Sequence, residues 1–86
     1  MKIIKIGAIW CPTCLIMRTV WEEIVNLYPQ IIIEDHDIDL EPQLKELYHL
    51  VEYPTYVFTD DQNQEIERLS GDVSKQKLIV TINKYL

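Results

Sequence analysis

The sequence predicts an α/β domain of order βαβαββα, in which three helices flank a central mixed four-stranded sheet. Residues 1–9 and 31–37 are predicted strands, and residues 12–28 between them have helical apolar spacing. A crossover that contains a helix makes these two strands parallel. Two later strand segments meet at the turn of residues 60–63, which predicts an antiparallel hairpin.

Composition limits the chain to one small domain. Of its 86 residues 48% are hydrophobic, so residues 1–86 are expected to form a single folded unit with a small core. The net charge of −6 argues against nucleic acid or an anionic membrane as a partner. No apolar run reaches ~18 residues, and no signal-peptide pattern precedes the first strand. We therefore expect a cytoplasmic monomer.

The first strand leads directly into the motif Trp10-Cys11-Pro12-Thr13-Cys14, and the first helix follows it. A thiol at a helix N-terminus faces unpaired backbone N–H groups, which favour the thiolate. Residues three apart share a helix face, so the two cysteines can close a disulfide. Proline suits the first helical position, where its missing N–H costs nothing. The motif predicts a dithiol redox switch that needs no cofactor beyond its own disulfide.

A metal site is the rival interpretation of the cysteine pair, either as a zinc half-site or as an iron–sulfur cluster shared across a dimer. Structural zinc sites take four ligands, and the two histidines, His36 and His49, are far from the motif in sequence. A single close pair of cysteines is more typical of catalysis or metal binding than of a structural staple, and the spacing and context of this pair favour redox chemistry. We therefore expect no bound metal.

The first helix is predicted to end at Tyr28, because a residue that precedes proline avoids the α conformation. Its expected buried face comprises Leu15, Ile16, Val20, Ile24 and Leu27, widened by Trp21 and Val25. In the second strand, the charges of residues 34–37 indicate a sheet edge, where charge blocks unwanted pairing.

The second helix is predicted to begin at Asp39 as its cap, with Pro42 in the first turn. Its expected inward residues are Leu40, Leu44, Leu47, Tyr48 and Val51.

The last three elements are two strands and a helix. The third strand, 54–59, begins with a proline at a position that sheets tolerate, and the fourth covers residues 64–69. Ser74 is the predicted cap of a final helix. Its expected buried face comprises Leu78, Ile79, Ile82, Tyr85 and Leu86.

A Trp-Cys-x-x-Cys motif between strand and helix is followed downstream by Tyr53-Pro54-Thr55 and then by Ser70-Gly71. This combination resembles the thioredoxin superfamily over almost the whole chain. Full-length thioredoxins cover the second strand with an extra N-terminal strand and helix, and we expect neither of these elements in this chain. The chain is therefore similar to the minimal thioredoxin-like core that glutaredoxins also use.

The resemblance implies a thiol–disulfide oxidoreductase that reduces protein disulfides. Cys11, nearest the helix N-terminus and expected to be the more exposed thiol, is the predicted nucleophile; Cys14, one turn deeper, is the predicted resolving thiol. A thioredoxin-type reductase or glutathione would supply the electrons. The alternatives are a glutathione-dependent glutaredoxin-like reductase and a non-catalytic binding module. The dipeptide Pro12-Thr13 matches neither the usual thioredoxin Gly-Pro nor the usual glutaredoxin Pro-Tyr.

The same resemblance implies a groove for an extended substrate segment beside the thiols. Trp10 is the expected groove wall, because it lies on a loop next to the reactive sulfur. The family implies a cis Tyr53-Pro54 bond that faces the dithiol, with the Tyr53 backbone open to strand addition. Gly71 is either an ordinary turn glycine or a point of close substrate passage. The predicted residues of this substrate groove are Trp10, Pro12, Thr13, Tyr53, Pro54 and Gly71.

One pair of residues departs from the family pattern. Thioredoxins place a buried acid six residues before the first cysteine, where this chain has Lys5, and a lysine on the neighbouring strand, where it has Asp35. A buried ammonium needs a partner, so we hypothesise an ion pair between Lys5 and Asp35 that takes part in proton transfer at Cys14. Alternatively, Lys5 extends to solvent and contacts nothing.

Overall fold

A computed structural model describes residues 1–86, and its elements follow the predicted order. They are β1 (Lys2–Gly7), α1 (Pro12–Leu27), β2 (Ile32–Asp37), α2 (Leu44–Leu47), β3 (Thr55–Thr59), β4 (Glu65–Ser70) and α3 (Lys75–Tyr85). The strands lie in the order β2-β1-β3-β4. Strand β1 is parallel to β2 and antiparallel to β3, and β3 is antiparallel to β4. The predicted mixed four-stranded sheet is confirmed.

The charged strand β2 lies at the edge of the sheet, as its sequence predicts. Its carboxylates pair with lysines of the neighbouring strand β1. Lys2 Nζ lies 3.3 Å from Glu34 Oε2, and Lys5 Nζ lies 3.0 Å from Asp35 Oδ1. The parallel register places Lys5 directly opposite Asp35, whereas Glu34 lies opposite Ile4 and reaches Lys2 diagonally.

Side chains of the central strands alternate between two apolar layers, because successive strand residues point to opposite faces. Ile3 and Phe58 belong to the layer with α1 and α3, and both are fully buried. Ile6 and Val57, also fully buried, belong to the layer on the other face, with Leu44 of α2. The sheet thus has helices on both faces, and β3 is buried along its whole length.

Part of the predicted buried face of α1 is wrong. Leu15 and Ile16 are 62% and 65% exposed, whereas Met17, Trp21 and Ile24 are buried. The helical period that turns these three residues to the sheet directs the first two to solvent. The predicted end of the helix is confirmed, with Tyr28 as its C-cap.

The second helix is shorter than predicted and begins later. Its N-cap is Gln43, whereas Asp39 lies in a preceding turn in which the Asp37 carbonyl accepts from the N–H groups of Leu40 and Glu41. Within the predicted inward face only Leu44 is buried. Three of its members are strongly exposed: Leu40, Leu47 and Val51.

The final helix begins as predicted, because the Ser74 hydroxyl oxygen accepts from the backbone N–H of Lys77 at 3.1 Å. Leu78 and Ile82 are buried, but Leu86 lies beyond the helix end and is 63% exposed. No helix is both long enough and apolar enough to cross a membrane.

An ionic cluster on the edge strand centres on His36. Its Nδ1 contacts a carboxylate oxygen of Glu41, and its Nε2 lies 3.2 Å from Glu34 Oε1. The hydrogen bond to Glu41 is the main reason why the pKa of His36 is raised above 6.5. The raised pKa means that the folded state binds the imidazole proton of His36 more tightly than the unfolded state does. The cluster therefore stabilises the fold fully below pH 6.5, and this stabilisation is lost as the pH rises through the raised pKa of His36.

We predict that His36→Gln lowers the free energy of unfolding by ~0.5–1 kcal/mol at about pH 5 and by much less at about pH 9. Urea denaturation at the two pH values measures the difference. His49→Gln is the matched control, because His49 is exposed and forms no ion pair. An equal loss at both pH values would show that the charged histidine does not stabilise the fold.

Candidate active site

Cys11 is the N-cap of α1. Its backbone is extended (φ −89°, ψ 112°), and its Sγ accepts from the backbone N–H of Cys14 at 3.2 Å. Pro12 is the first helical residue, as the motif predicts. A helix N-terminus carries unpaired N–H groups and partial positive charge, so negative charge on the Cys11 sulfur is favoured there.

The predicted order of thiol exposure is wrong. Cys11 is only 5% exposed, whereas Cys14 is partly exposed. The capping conformation turns the Cys11 side chain inward, where its thiol donates to the Tyr53 carbonyl oxygen at 3.6 Å. Its sulfur packs with the apolar layer that contains Ile6 and Ala8. A cysteine at the start of a helix is therefore not necessarily exposed, although the sequence-based prediction inferred the exposure of Cys11 from that position.

Cys14 lies over the end of β1 in a space that Gly7 leaves open. A Cβ atom at Gly7 would lie 3.0 Å from Cys14 Sγ. Burial, and next the hydrogen bond to the Cys11 sulfur, raise the pKa of Cys14 to about 11. Sequence reasoning missed Gly7, although a glycine inside a strand is a known signal of close approach.

The predicted groove residues begin with Trp10, whose side chain is 61% exposed. Its indole ring meets Tyr53 edge to face, with ring centroids 5.8 Å apart. Its Nε1 donates to Asp39 Oδ2 at 2.9 Å. Asp39 thus holds the indole ring, a contact across 29 residues that no local sequence pattern could indicate.

Pro54 and Gly71 are adjacent in the fold and are joined by a backbone hydrogen bond. The Tyr53–Pro54 peptide bond is cis. The Pro54 carbonyl accepts from the backbone N–H of Gly71 at 2.9 Å. Gly71 has φ +75°, and a Cβ there would collide with the Glu52 carboxylate. The turn interpretation of this glycine therefore has a direct structural basis.

The remaining groove residues lie at the start of α1. Pro12 is exposed and Thr13 is partly exposed. Both follow Cys11 directly in the sequence, and their part in substrate binding stays a prediction.

Lys5 and Asp35 form the ion pair that the sequence suggested. The ammonium lies 3.0 Å from the carboxylate, and the two side chains are 20% and 76% exposed. The ammonium also lies 4.9 Å from the centroid of the Trp21 ring. The pair thus holds a mostly buried cation against the Trp21 ring, while the carboxylate remains accessible to water. A part in proton transfer stays a prediction.

A pocket of about 560 Å³ opens beside Cys14, between α1 and β2, and we term it the Cys14 pocket. Its polar lining side chains include Lys5, Arg18, Asp35, His36 and Glu41. Cys11, Trp10 and Tyr53 do not line it. The two sulfurs therefore have different surroundings. No three His, Cys, Asp or Glu side chains are grouped as a metal-binding set.

Comparison with known proteins places this geometry in a family. The thioredoxin family model matches residues 1–84. Thioredoxin H5 of Oryza sativa subsp. japonica is 33% identical over 69 residues, which cover 80% of this chain and 50% of that protein. The chain thus spans about half the length of this relative.

Solved structures share the fold. Thioredoxin of Fasciola hepatica has a TM-score of 0.88 at 26% identity, covering 99% of this chain and 80% of that one. Mitochondrial thioredoxin 3 of Saccharomyces cerevisiae has a TM-score of 0.86 at 24% identity, covering 96% of this chain and 76% of that one. Motif, fold and family model agree, and the chain belongs to the thioredoxin family.

Proposed function

We propose that this protein is a thiol–disulfide oxidoreductase that reduces protein disulfides with Cys11 and Cys14. The observation that carries the proposal is the hydrogen bond from the Cys14 backbone N–H to the Cys11 sulfur at a helix N-terminus. This arrangement favours the thiolate at Cys11 and holds a second thiol within one helical turn. Membership of the thioredoxin family supports the same chemistry.

In the first step the Cys11 thiolate attacks a substrate disulfide. One S–S bond breaks as the Cys11–substrate bond forms, and the other substrate sulfur leaves as a thiolate that takes a proton from water. An extended substrate segment would lie along the substrate groove, where the Tyr53 backbone can pair with it. The Tyr53 carbonyl now accepts from the Cys11 thiol and becomes available when that proton is lost.

In the second step Cys14 attacks the Cys11 sulfur, releases the reduced substrate and leaves the Cys11–Cys14 disulfide. This step requires Cys14 to lose its proton, although burial raises its pKa to about 11. Lys5 lines the same pocket as Cys14, so its ammonium would favour the Cys14 thiolate, and the exposed Asp35 carboxylate would pass the proton to water.

The cycle ends when two electrons return to the disulfide. We propose that a thioredoxin-type reductase or glutathione supplies them and that disulfide-containing proteins are the substrates. The chain has only two cysteines, both in the motif, which is typical of a protein from a reducing compartment and supports action in the cytoplasm.

A direct test is the reduction of insulin disulfides with dithiothreitol as the electron source. Both Cys11→Ser and Cys14→Ser should return the rate to that of dithiothreitol alone. In a separate incubation without dithiothreitol, only the reduced Cys14→Ser variant should accumulate a covalent adduct with insulin, because its Cys11 can attack but no second thiol resolves the mixed disulfide. Adduct formation by Cys11→Ser instead would reverse the two roles, and an inactive wild-type protein would refute the proposed function.

A second prediction concerns which of the two thiols is alkylated first. Cys14 is the more exposed thiol, but with a pKa of about 11 only about one molecule in 10⁴ carries its thiolate at pH 7. We therefore predict that limiting iodoacetamide near neutral pH alkylates Cys11 first. Fragmentation mass spectrometry of the peptide that contains both cysteines identifies the labelled sulfur. Faster labelling of Cys14 would mean that exposure outweighs ionisation.

A third prediction concerns the ion pair. Lys5→Met should slow release of the mixed disulfide by roughly three- to tenfold and spare the first attack, because one pKa unit at Cys14 corresponds to about tenfold in thiolate. Stopped-flow measurement over a pH series separates the two steps, and the resolving step should shift to higher pH.

Lys2→Met is the matched control, because Lys2 forms the other ion pair between β1 and β2 but does not line the Cys14 pocket. If both variants slow release equally, the effect comes from the strand edge and not from a charge near Cys14.

A further inference from the structure

Strand β2 leaves a row of backbone groups unpaired. It is the outermost strand of the sheet and pairs only with β1. Successive residues of a strand direct their N–H and C=O groups to opposite sides. The N–H of Ile38, just beyond β2, donates to the Gly7 carbonyl at 2.9 Å, so the even-numbered residues of β2 bond to β1. The odd-numbered residues therefore point out of the sheet, and the N–H groups of Ile33, Asp35 and Asp37 have no partner in the protein.

The outward carbonyl groups are unpaired as well, except at the end of the strand. The Asp37 carbonyl accepts from the N–H groups of Leu40 and Glu41, whereas the carbonyls of Ile33 and Asp35 have no partner. We term this outward row of residues 33, 35 and 37 the β2 edge. Unpaired donors and acceptors at strand spacing are what an added strand binds.

The ion pairs along this edge place the carboxylates outermost. The side chain of Asp35 is 76% exposed, whereas that of its partner Lys5 is 20% exposed. Glu34 is 42% exposed and its partner Lys2 25% exposed. The ammonium groups thus lie inward, and a chain that approaches the β2 edge meets the carboxylates first.

The other charged side chains nearby do not reverse this sign. Asp37 forms no ion pair, and the only ion-pair partner of Glu41 is His36. On the helix side of β2, Arg18 and Glu22 line one shallow cavity and offset each other. The β2 edge therefore carries an excess of negative charge, which favours basic residues in any strand that pairs with it.

The same charges exclude a second copy of β2 as the added strand. Antiparallel pairing joins outward-facing residues of the two strands. Registers centred on β2 therefore place Asp35 opposite its own copy or Glu34 opposite its own copy. Like charges directly opposite each other are destabilising, so the partner must differ from β2 in charge.

The start of β2 is apolar, which sets a second requirement. Ile32 is 61% exposed and Ile33 is half-buried. A matching strand therefore has apolar residues beside positions 32 and 33 and basic residues beside positions 34, 35 and 37.

We propose that the β2 edge binds an extended basic segment of a partner protein, which adds to the sheet as a fifth strand. Backbone hydrogen bonds to Ile33, Asp35 and Asp37 hold the segment, and its lysine or arginine side chains pair with the outer carboxylates. This inference goes beyond the proposed function, because the interaction requires neither thiol.

The test is an NMR titration with two acetylated and amidated peptides, Thr-Lys-Thr-Lys-Lys-Val-Val-Thr and its reversed sequence. They match the β2 edge in the antiparallel and the parallel direction, respectively, and at least one should bind. Amide exchange at Ile33, Asp35 and Asp37 should slow about tenfold at nine-tenths saturation, because only the free protein exchanges these protons. Exchange at Glu34 and His36 should not change, since their N–H groups already bond to β1.

Charge variants test the choice of partner. Asp35→Asn and Asp37→Asn should each raise the Kd of the binding peptide roughly two- to fivefold, the effect of one cross-strand charge pair. An asparagine at position 37 keeps an oxygen for the Asp39 N–H, so the following turn is preserved. Glu46→Gln is the matched control, because it removes the same charge from an exposed residue of α2 and should leave the Kd unchanged.

Peptides with glutamate in place of every lysine should not bind. Equal binding of these acidic peptides, no binding of either basic peptide, or peptide contacts confined to Tyr53 and Gly71 would overturn the inference. Slower exchange of the three outward amides when only the protein concentration is raised would identify a second copy as the occupant and would overturn it as well.

Discussion

The hydrogen bond from the Cys14 backbone N–H to the Cys11 sulfur is the interaction on which the whole site depends. It makes a cysteine the cap of α1, so the helix cannot begin in this way without placing a sulfur against its positive end. The buried parallel strand β1 delivers the chain to that point, and Pro12 starts the helix immediately afterwards. The Cys11 sulfur and the Cys14 backbone N–H therefore define both the start of α1 and the electrostatic surroundings of the reactive thiol.

The two sulfurs differ because they face different parts of the fold. Cys11 turns towards the cis-proline loop and the Tyr53 carbonyl, while Cys14 lies above Gly7 beside a pocket with charged walls. Burial makes Cys14 a weak acid and a poor leaving group, whereas the helix N-terminus favours charge on Cys11. In the proposed function this asymmetry would give the dithiol a direction, in which Cys11 attacks the substrate first and Cys14 completes the exchange.

The sequence was sufficient for features with strong local patterns. Apolar strands, the charged edge strand β2 and the cysteine motif at a helix start were all predicted in their correct places. Thiol exposure was not predictable, because it depends on which way the Cys11 side chain turns against the distant Tyr53. The late start of α2 could not be predicted either. Asp39 does not cap that helix, because its carboxylate accepts a hydrogen bond from Trp10, which is 29 residues away in the sequence.

The central claim is that Cys11 and Cys14 act as one redox unit. A titration of the protein in glutathione redox buffers, read by the mass of alkylated thiols, tests this claim most directly. The account predicts a single two-electron transition in which both cysteines are oxidised together, with a midpoint between about −270 and −120 mV, the span of catalytic dithiol proteins. Cysteines that stay reduced across this range, or that react independently of each other, would contradict it.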